Sequence, residues 1–308
     1  MRSLLLSALA LVLLSACSTD VPEPESGDPD APALTTAQEL DAPAAPNDST
    51  RQTFDALIAY AEAENLAVRP IGEVVQALGV RLLGRPYVEG ALDVPEVESL
   101  VVDLTGFDCV TYVEHVLAIA QAVTSGEPTY EAYTANLEDL RYRGGTLDGY
   151  CSRLHYFSDW MLDNDRRGNV RLVSQEFGVP FDKTISFMSN HRDAYPKFAT
   201  DDEVLACIRG VEADLRGHGL YYVPQDRIRG VYDQLRAGDI IATATNIEGL
   251  DVTHTGFVYK HADGRTGFLH ASLSGEVKIN DDLADYIRGN RAQTGIIVAR
   301  PLANSTQG

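Results

Sequence analysis

Cys109 stands near the head of "DLTGFDCVTYVEHVLAIA", residues 103 to 120, where a polar entry gives way to a run of apolar, helix-forming residues. A cysteine at a helix start lies among backbone N–H groups that have no intrahelical partner, at the positive end of the macrodipole. Both effects favour thiolate over thiol, and the same N–H groups can hold the oxyanion formed when a thiolate attacks an amide carbonyl. The placement predicts a nucleophile, provided a histidine elsewhere in the chain supplies the base. Asp108 is expected to be the N-cap of this helix. Being negative, it cannot activate the thiol itself.

Seven histidines are present. His254 lies in "DVTHTGFVYK" and His270 in "GFLHASL", two segments with strand-like composition joined by the turn "KHADGRT". A hairpin would set the two histidines side by side on rigid strands, with His254 as general base and His270 as its orienting partner. A pair of structural histidines bonded to one another is the plainer alternative. Cys109, His254 and His270 are also acceptable zinc ligands, but no paired motif such as HExxH occurs, and no metal or cofactor is expected. His115, His191, His218 and His261 are expected to be structural or on the surface.

The elements that must position these groups follow from periodicity. "FDALIAYAEAENLA" and "IGEVVQALGVRLLG" carry apolar residues at helical spacing. "GRPYVEGALD" is turn-rich and "VESLVVDL" reads as a strand; the Cys109 helix then runs to a stop at Ser125-Gly126. "TYEAYTANLEDLRYR" and "SRLHYFSDWMLDNDRR" are amphipathic, "NVRLVSQEFG" is strand-like, and "DDEVLACIRGVEADLRGHG" is an acidic helix. Beyond it, "GDIIATATN", "VTHTGFVYK", "TGFLHASL", "GEVKIN" and "TGIIVARPL" are short, β-branched and separated by turn residues. Helices first and consecutive strands later predict an α+β domain built on an antiparallel sheet, spanning residues 51–308.

The chain is acidic, with 45 Asp and Glu against 25 Lys and Arg among 308 residues, and has no basic run, so nucleic acid is excluded as a partner. "MRSLLLSALALVLLSAC" pairs one arginine with an apolar stretch too short to span a bilayer, the pattern of a secretory signal. Leu14-Ser15-Ala16-Cys17 resembles the bacterial lipoprotein box, which implies removal of residues 1–16 and lipidation of Cys17. Acyl chains would anchor the protein to a membrane without spanning it. Residues 17–50, rich in Pro, Asp and Ala, read as a disordered tether. Export places Cys109, Cys151 and Cys207 in an oxidising compartment, where three cannot all pair. Cys151 and Cys207 can bridge, and Cys109 is the candidate free thiol.

Asp108-Cys109 opening a buried helix, then "HTGFV" and "LHAS" on later strands, resembles the NlpC/p60 superfamily of papain-like cysteine hydrolases. In that superfamily the cysteine opens a helix packed on the sheet, and the base and a polar third residue follow on core strands; the roles map onto Cys109, His254 and His270. "GFDCVTYVEHVLA", "LRYRGGTLDGYCSRLHYFSDWM", "GDIIATATNIEGLDVTHTGFV" and "LHASLSGEVKI" are similar to one branch, the N-acetylmuramoyl-L-alanine amidase-like family. This resemblance implies an NlpC/p60 papain-like fold and hydrolysis of the amide between the muramic acid lactyl group and L-alanine in peptidoglycan or muropeptides. It also implies substrate-groove roles for Glu114, Arg143, Arg153, His155 and Tyr156, with arginine suited to stem carboxylates. Tyr87 resembles an aromatic bordering the nucleophile, while Tyr156 with Trp160, four residues apart, also fits a core pair. An endopeptidase cutting within the peptide stem and a non-catalytic muropeptide-binding lipoprotein are the alternatives. An exported lipoprotein facing the periplasm from the outer membrane is the expected location, Ser18 not being aspartate.

Overall fold

The computed structural model describes residues 48–217 and 219–303; the expected signal segment, Cys17, most of the tether and His218 lie outside them. Helix α1 (Asp48–Ala63) begins three residues inside the stretch read as tether. Its first turn is fixed by Thr50, whose hydroxyl reaches Asp103 at 3.2 Å and accepts from the Leu104 N–H at 3.1 Å. Helix α2 (Ile71–Val80) follows, and then α3 (Cys109–Thr124), in which every residue from Thr111 to Val123 is buried. Neighbours cover this helix on all of its faces, its polar residues Glu114, His115 and Gln121 included. Asp108 caps it: its carboxylate accepts from the Thr111 N–H at 2.7 Å, and the Thr111 hydroxyl accepts from the Asp108 N–H at 3.0 Å.

Helices α4 (Tyr130–Arg141) and α5 (Phe157–Arg167) precede the short strands β1 (Val170–Leu172) and β2 (Val179–Pro180). Helices α6 (Phe187–Asn190) and α7 (Asp202–Asp214) lead into β3 (Tyr221–Pro224). The remainder comprises β4 (Ile240–Thr245), β5 (Val252–Lys260), β6 (Thr266–Ala271), β7 (Val277–Asn280), helix α8 (Leu283–Gly289) and β8 (Gln293–Pro301). The strands form one antiparallel sheet in the order β2-β3-β8-β4-β5-β6-β7, with β1 paired to β8. Side chains alternate across it. Ile240, Phe257, Leu269 and Ile297 pack with α1 to α5, whereas Ile241, Val258, Phe268 and Val298 pack with α8 and the 3-10 turn at Gln225–Val231. The expected α+β class and the β5–β6 hairpin are both present.

Two expected elements differ. "VESLVVDL" has no ladder partner, because its main-chain groups are taken by side chains. Ser99 O accepts from the Tyr142 hydroxyl at 3.1 Å, and Val101 O accepts from Arg141 Nη1 at 2.6 Å. The helix expected from Ser152 starts only at Phe157; Arg153 bridges to Tyr142, and its neighbour Leu154 donates to Arg141 O at 3.0 Å, drawing this segment extended along the end of α4.

Cys151 and Cys207 form a disulfide with their Cα atoms 6.2 Å apart, and Cys109 is free. The bond joins the segment before α5 to α7 across a sequence separation of 56 residues. Closing a loop of that length removes unfolded-state entropy equivalent to about 4 kcal/mol. The Cys151→Ser/Cys207→Ser variant is therefore expected to unfold at lower urea than wild type, by up to that amount. An unchanged midpoint would show that the closed loop contributes nothing.

Candidate active site

The amino end of α3 opens into a cleft of about 300 Å³ whose lining includes Cys109, Glu114, Arg141, Arg153, His155, Tyr156 and His254. One wall comes from α3 and α4, a second from the extended segment before α5, and the third from the start of β5. Thus the cleft sits where the helical layer meets the sheet. Nucleophile and base candidates reach it from different layers.

The thiol is not in the state that its helix position alone would give. Burial pushes the Cys109 thiol up to about 12, and the neighbouring Asp108 carboxylate pushes the same way. Hydrogen bonds from the N–H groups of Thr255, Cys109 and Val110 pull towards thiolate but do not win. Desolvation of a charge outweighs a helix-end dipole, whose effect is typically about 0.3–1 kcal/mol. At neutral pH the resting sulfur is a thiol with three N–H groups gathered around it.

His254 on β5 and His270 on β6 come together as expected, with His254 Nε2 2.6 Å from His270 Nδ1. The rings stand at 88° with centroids 4.8 Å apart. Gly256 makes this possible: a Cβ there would lie 2.7 Å from both the His270 Cβ and the Leu269 carbonyl. His270 continues through Nε2 to Asn280 Oδ1 at 2.7 Å. Phe268 stacks on the His270 ring at 4.6 Å, and Tyr286 of α8 packs against it at 4.9 Å. Burial lowers His254 to about 3, helped by His270, and lowers His270 to about 4. Both are neutral near pH 7. With Nε2 committed to His270, Nδ1 is the nitrogen of His254 left for the thiol; among the described residues no hydrogen bond joins them, as is common in a site without substrate.

The other expected residues divide. Glu114 lines the cleft but is bound at 2.7 Å by Arg141, and both side chains are at most 2% exposed. Burial pushes its carboxyl up while Arg141 pulls it down. Arg153 also lines the cleft, yet its guanidinium is held by Asp93 and, at 3.5 Å, by Glu98. His155 Nε2 donates to the Tyr150 carbonyl, 2.8 Å away, and burial beside Arg153 lowers it to about 3. Tyr156 donates to Glu212 at 2.8 Å and accepts from the Met188 N–H at 2.7 Å, so its hydroxyl ties the cleft wall to α6 and α7. Arg143 is outside the cleft, forked on Asp159 at 3.1 and 2.5 Å, because the helix ends at Arg141 and the chain then turns away. Tyr87 is not among the cleft-lining residues; it pairs by a backbone bridge with Phe107, and Cys109 and Asp108 add to the burial that raises its phenol. His115 is structural, its Nδ1 2.6 Å from the Tyr133 hydroxyl.

Three participants escaped the sequence reading: Arg141, Asn280 and Tyr286. Arg141 had a usable signal, since Tyr133, Leu137 and Arg141 form one i, i+4 stripe on α4 and all three are buried.

A family model described as N-acetylmuramoyl-L-alanine amidase-like (AmiA-like) matches residues 77–296. The crystal structure of an N-acetylmuramoyl-L-alanine amidase from Bacteroides uniformis is 32% identical, with a TM-score of 0.71, over 75% of this chain and 98% of that one. A putative xylanase from Bacteroides fragilis is 33% identical, with a TM-score of 0.68, over 72% and 98%. A protein of Legionella pneumophila, 20% identical with a TM-score of 0.60 over 82% and 95%, shares the fold. No curated protein matches the chain.

A thiol raised to about 12 should alkylate ever faster with rising pH. The rate of Cys109 modification by iodoacetamide is expected to climb from pH 6 to pH 9 with no plateau near neutrality; a plateau below pH 7 would mean a resting thiolate–imidazolium pair. Gly256→Ala is expected to cost about 1–3 kcal/mol, as overpacking does. A urea midpoint equal to that of wild type would show that the β5–β6 contact has slack.

Proposed function

The chain belongs to the N-acetylmuramoyl-L-alanine amidase-like family, and on that premise we propose that it is a cell-wall hydrolase cutting the amide between the muramic acid lactyl carbonyl and L-alanine. The observation that carries this reading is the free thiol at the start of α3, opening into the same cleft as a neutral His254 that is itself bonded to His270. In the proposed cycle His254 Nδ1 takes the proton from Sγ as sulfur attacks the lactyl carbonyl carbon. The tetrahedral oxyanion is held by N–H groups at the helix start. The C–N bond then breaks, the imidazolium protonates the alanine nitrogen, and a thioester remains. His254 next deprotonates water, which attacks the thioester; the C–S bond breaks, and sulfur recovers its proton.

A neutral thiol–imidazole pair suits this chemistry, since charge develops only when a substrate has displaced water from the cleft. Glycoside hydrolysis, the activity named for the Bacteroides fragilis protein, calls instead for two carboxyl groups acting as acid and base or nucleophile. Here Glu114 is held by Arg141, Asp108 caps α3, and Asp251 accepts from the Ser158 N–H at 2.8 Å. The carboxylates are structurally engaged and the sulfur is free. A cysteine opening a helix, with histidines on adjacent antiparallel strands, also supports the NlpC/p60 papain-like reading.

The Cys151–Cys207 disulfide agrees with export to an oxidising compartment. We extend the proposal to a lipoprotein, lipidated at Cys17, whose tether lets the domain reach muropeptides from the periplasmic face of the outer membrane.

Mass spectrometry of a purified muropeptide should show release of the intact peptide stem by wild type. Cys109→Ala and His254→Ala are each expected to lower the rate on the order of a thousandfold or more. Cleavage within the stem would make the protein an endopeptidase with the same nucleophile. Binding without any cleavage would make it a muropeptide-binding protein.

A further inference from the structure

We infer that Asn280 determines which nitrogen of His254 is free to take the thiol proton. The inference rests on the reading of Cys109 and His254 as nucleophile and base, and it assigns Asn280 the role of a positioning residue. Asn280 ends β7 and stands directly across from Phe268 in the β6–β7 ladder, while Lys278 stands across from His270. It therefore lies diagonal to His270 on one face of the sheet, within reach of a ring nitrogen.

The contacts then fix a direction. The Asn280 amide oxygen faces His270 Nε2 at 2.7 Å, and an amide oxygen can only accept. The hydrogen of this bond must sit on His270 Nε2. A neutral imidazole carries one N–H, so His270 Nδ1 has the lone pair. His254 Nε2, 2.6 Å from that lone pair, must in turn donate. His254 is neutral as well, which leaves its Nδ1 unprotonated and able to act as a base. Were the Asn280 NH2 group turned to His270, each bond would reverse, and His254 would carry its hydrogen on Nδ1. That tautomer cannot accept a proton from sulfur at Nδ1. The hydrogen-bond chain thus transmits a choice made at the sheet edge to a nitrogen two side chains away.

The titratable and charged groups facing His270 are His254 on β5, Lys278 on β7 and Tyr286 on α8. Lys278 opposes protonation of His270. Replacing Asn280 by aspartate places an acceptor-only group at the same point and a negative charge two residues along β7 from Lys278. At high pH it should preserve the chain's direction. On acidification it should favour a charged His270, which would donate from Nδ1 into His254 Nε2 and thereby move the hydrogen of His254 onto Nδ1.

Nitrogen-15 NMR of histidine-labelled protein reads the tautomers directly and needs no substrate. Wild type at pH 7.5 is expected to show N–H at Nε2 and a bare Nδ1 on both His254 and His270. Asn280→Leu is expected to give mixed tautomers and to lower kcat about 10–100-fold, the range for groups that orient a functional histidine, with KM unchanged. Asn280→Asp is expected to restore wild-type tautomers and kcat at pH 8, and to move the acid limb of the kcat profile to higher pH than in wild type. A role confined to holding β7 in place would leave that limb where it was. An Nδ1–H on His270 in wild type, or a folded Asn280→Leu variant with wild-type tautomers and kcat, would overturn the inference. The expected tautomers in a protein that cleaves no muropeptide would uphold it while removing the amidase reading.

Discussion

Two neutral imidazoles can share a hydrogen bond only when one lends a hydrogen and the other a lone pair, and the 2.6 Å contact between His254 and His270 imposes that order on its surroundings. The contact needs adjacent strands in one register, and the antiparallel pairing of Phe257 with Leu269 supplies it. It needs room between the strands, and Gly256 leaves that room. It needs shelter from water, which Phe268 and Tyr286 provide on the side away from the cleft wall. Helix α3 completes the arrangement by bringing Cys109 against the N–H of Thr255, the residue beside the base.

The cleft carries charged side chains among apolar ones, and those charges are paired with one another. Arg141 is engaged by Glu114 and by the Val101 carbonyl, and Arg153 by Asp93 and Glu98. A buried ion pair is poor evidence for stability, because desolvation offsets the attraction, whereas removing one partner alone is costly. These pairs fasten α4 to α3 and the 93–98 segment to the strip before α5. They shape the part of the groove that Glu114, Arg141 and Arg153 line.

Much of this was legible in the chain. Asp108-Cys109 before an apolar run fixes a capped helix with a thiol at its start, and alternating segments joined by "KHADGRT" fix the histidine hairpin. What escaped depends on distances that no local pattern contains. The thiol's protonation turns on how much water is removed from sulfur, a quantity set by β5 and the cleft wall rather than by α3. In "LRYRGG" the arginine that matters is Arg141, on the inner stripe of α4, while Arg143 lies beyond the helix end and meets Asp159. Asn280 closes the strand-like "GEVKIN", and only the β6–β7 register shows that it lies diagonal to His270. "VESLVVDL" has a strand's composition, but a strand needs a neighbour, and its carbonyls are claimed by Tyr142 and Arg141.

The protonated resting state of Cys109 bears on how long the molecule survives. Oxidants and disulfides react with thiolates far faster than with thiols. A sulfur held as thiol by its desolvated niche is thus shielded from sulfenylation and from exchange with disulfides. The same desolvation that withholds reactivity until a base intervenes also preserves the nucleophile chemically. Durability and latency become a single property of one desolvated sulfur.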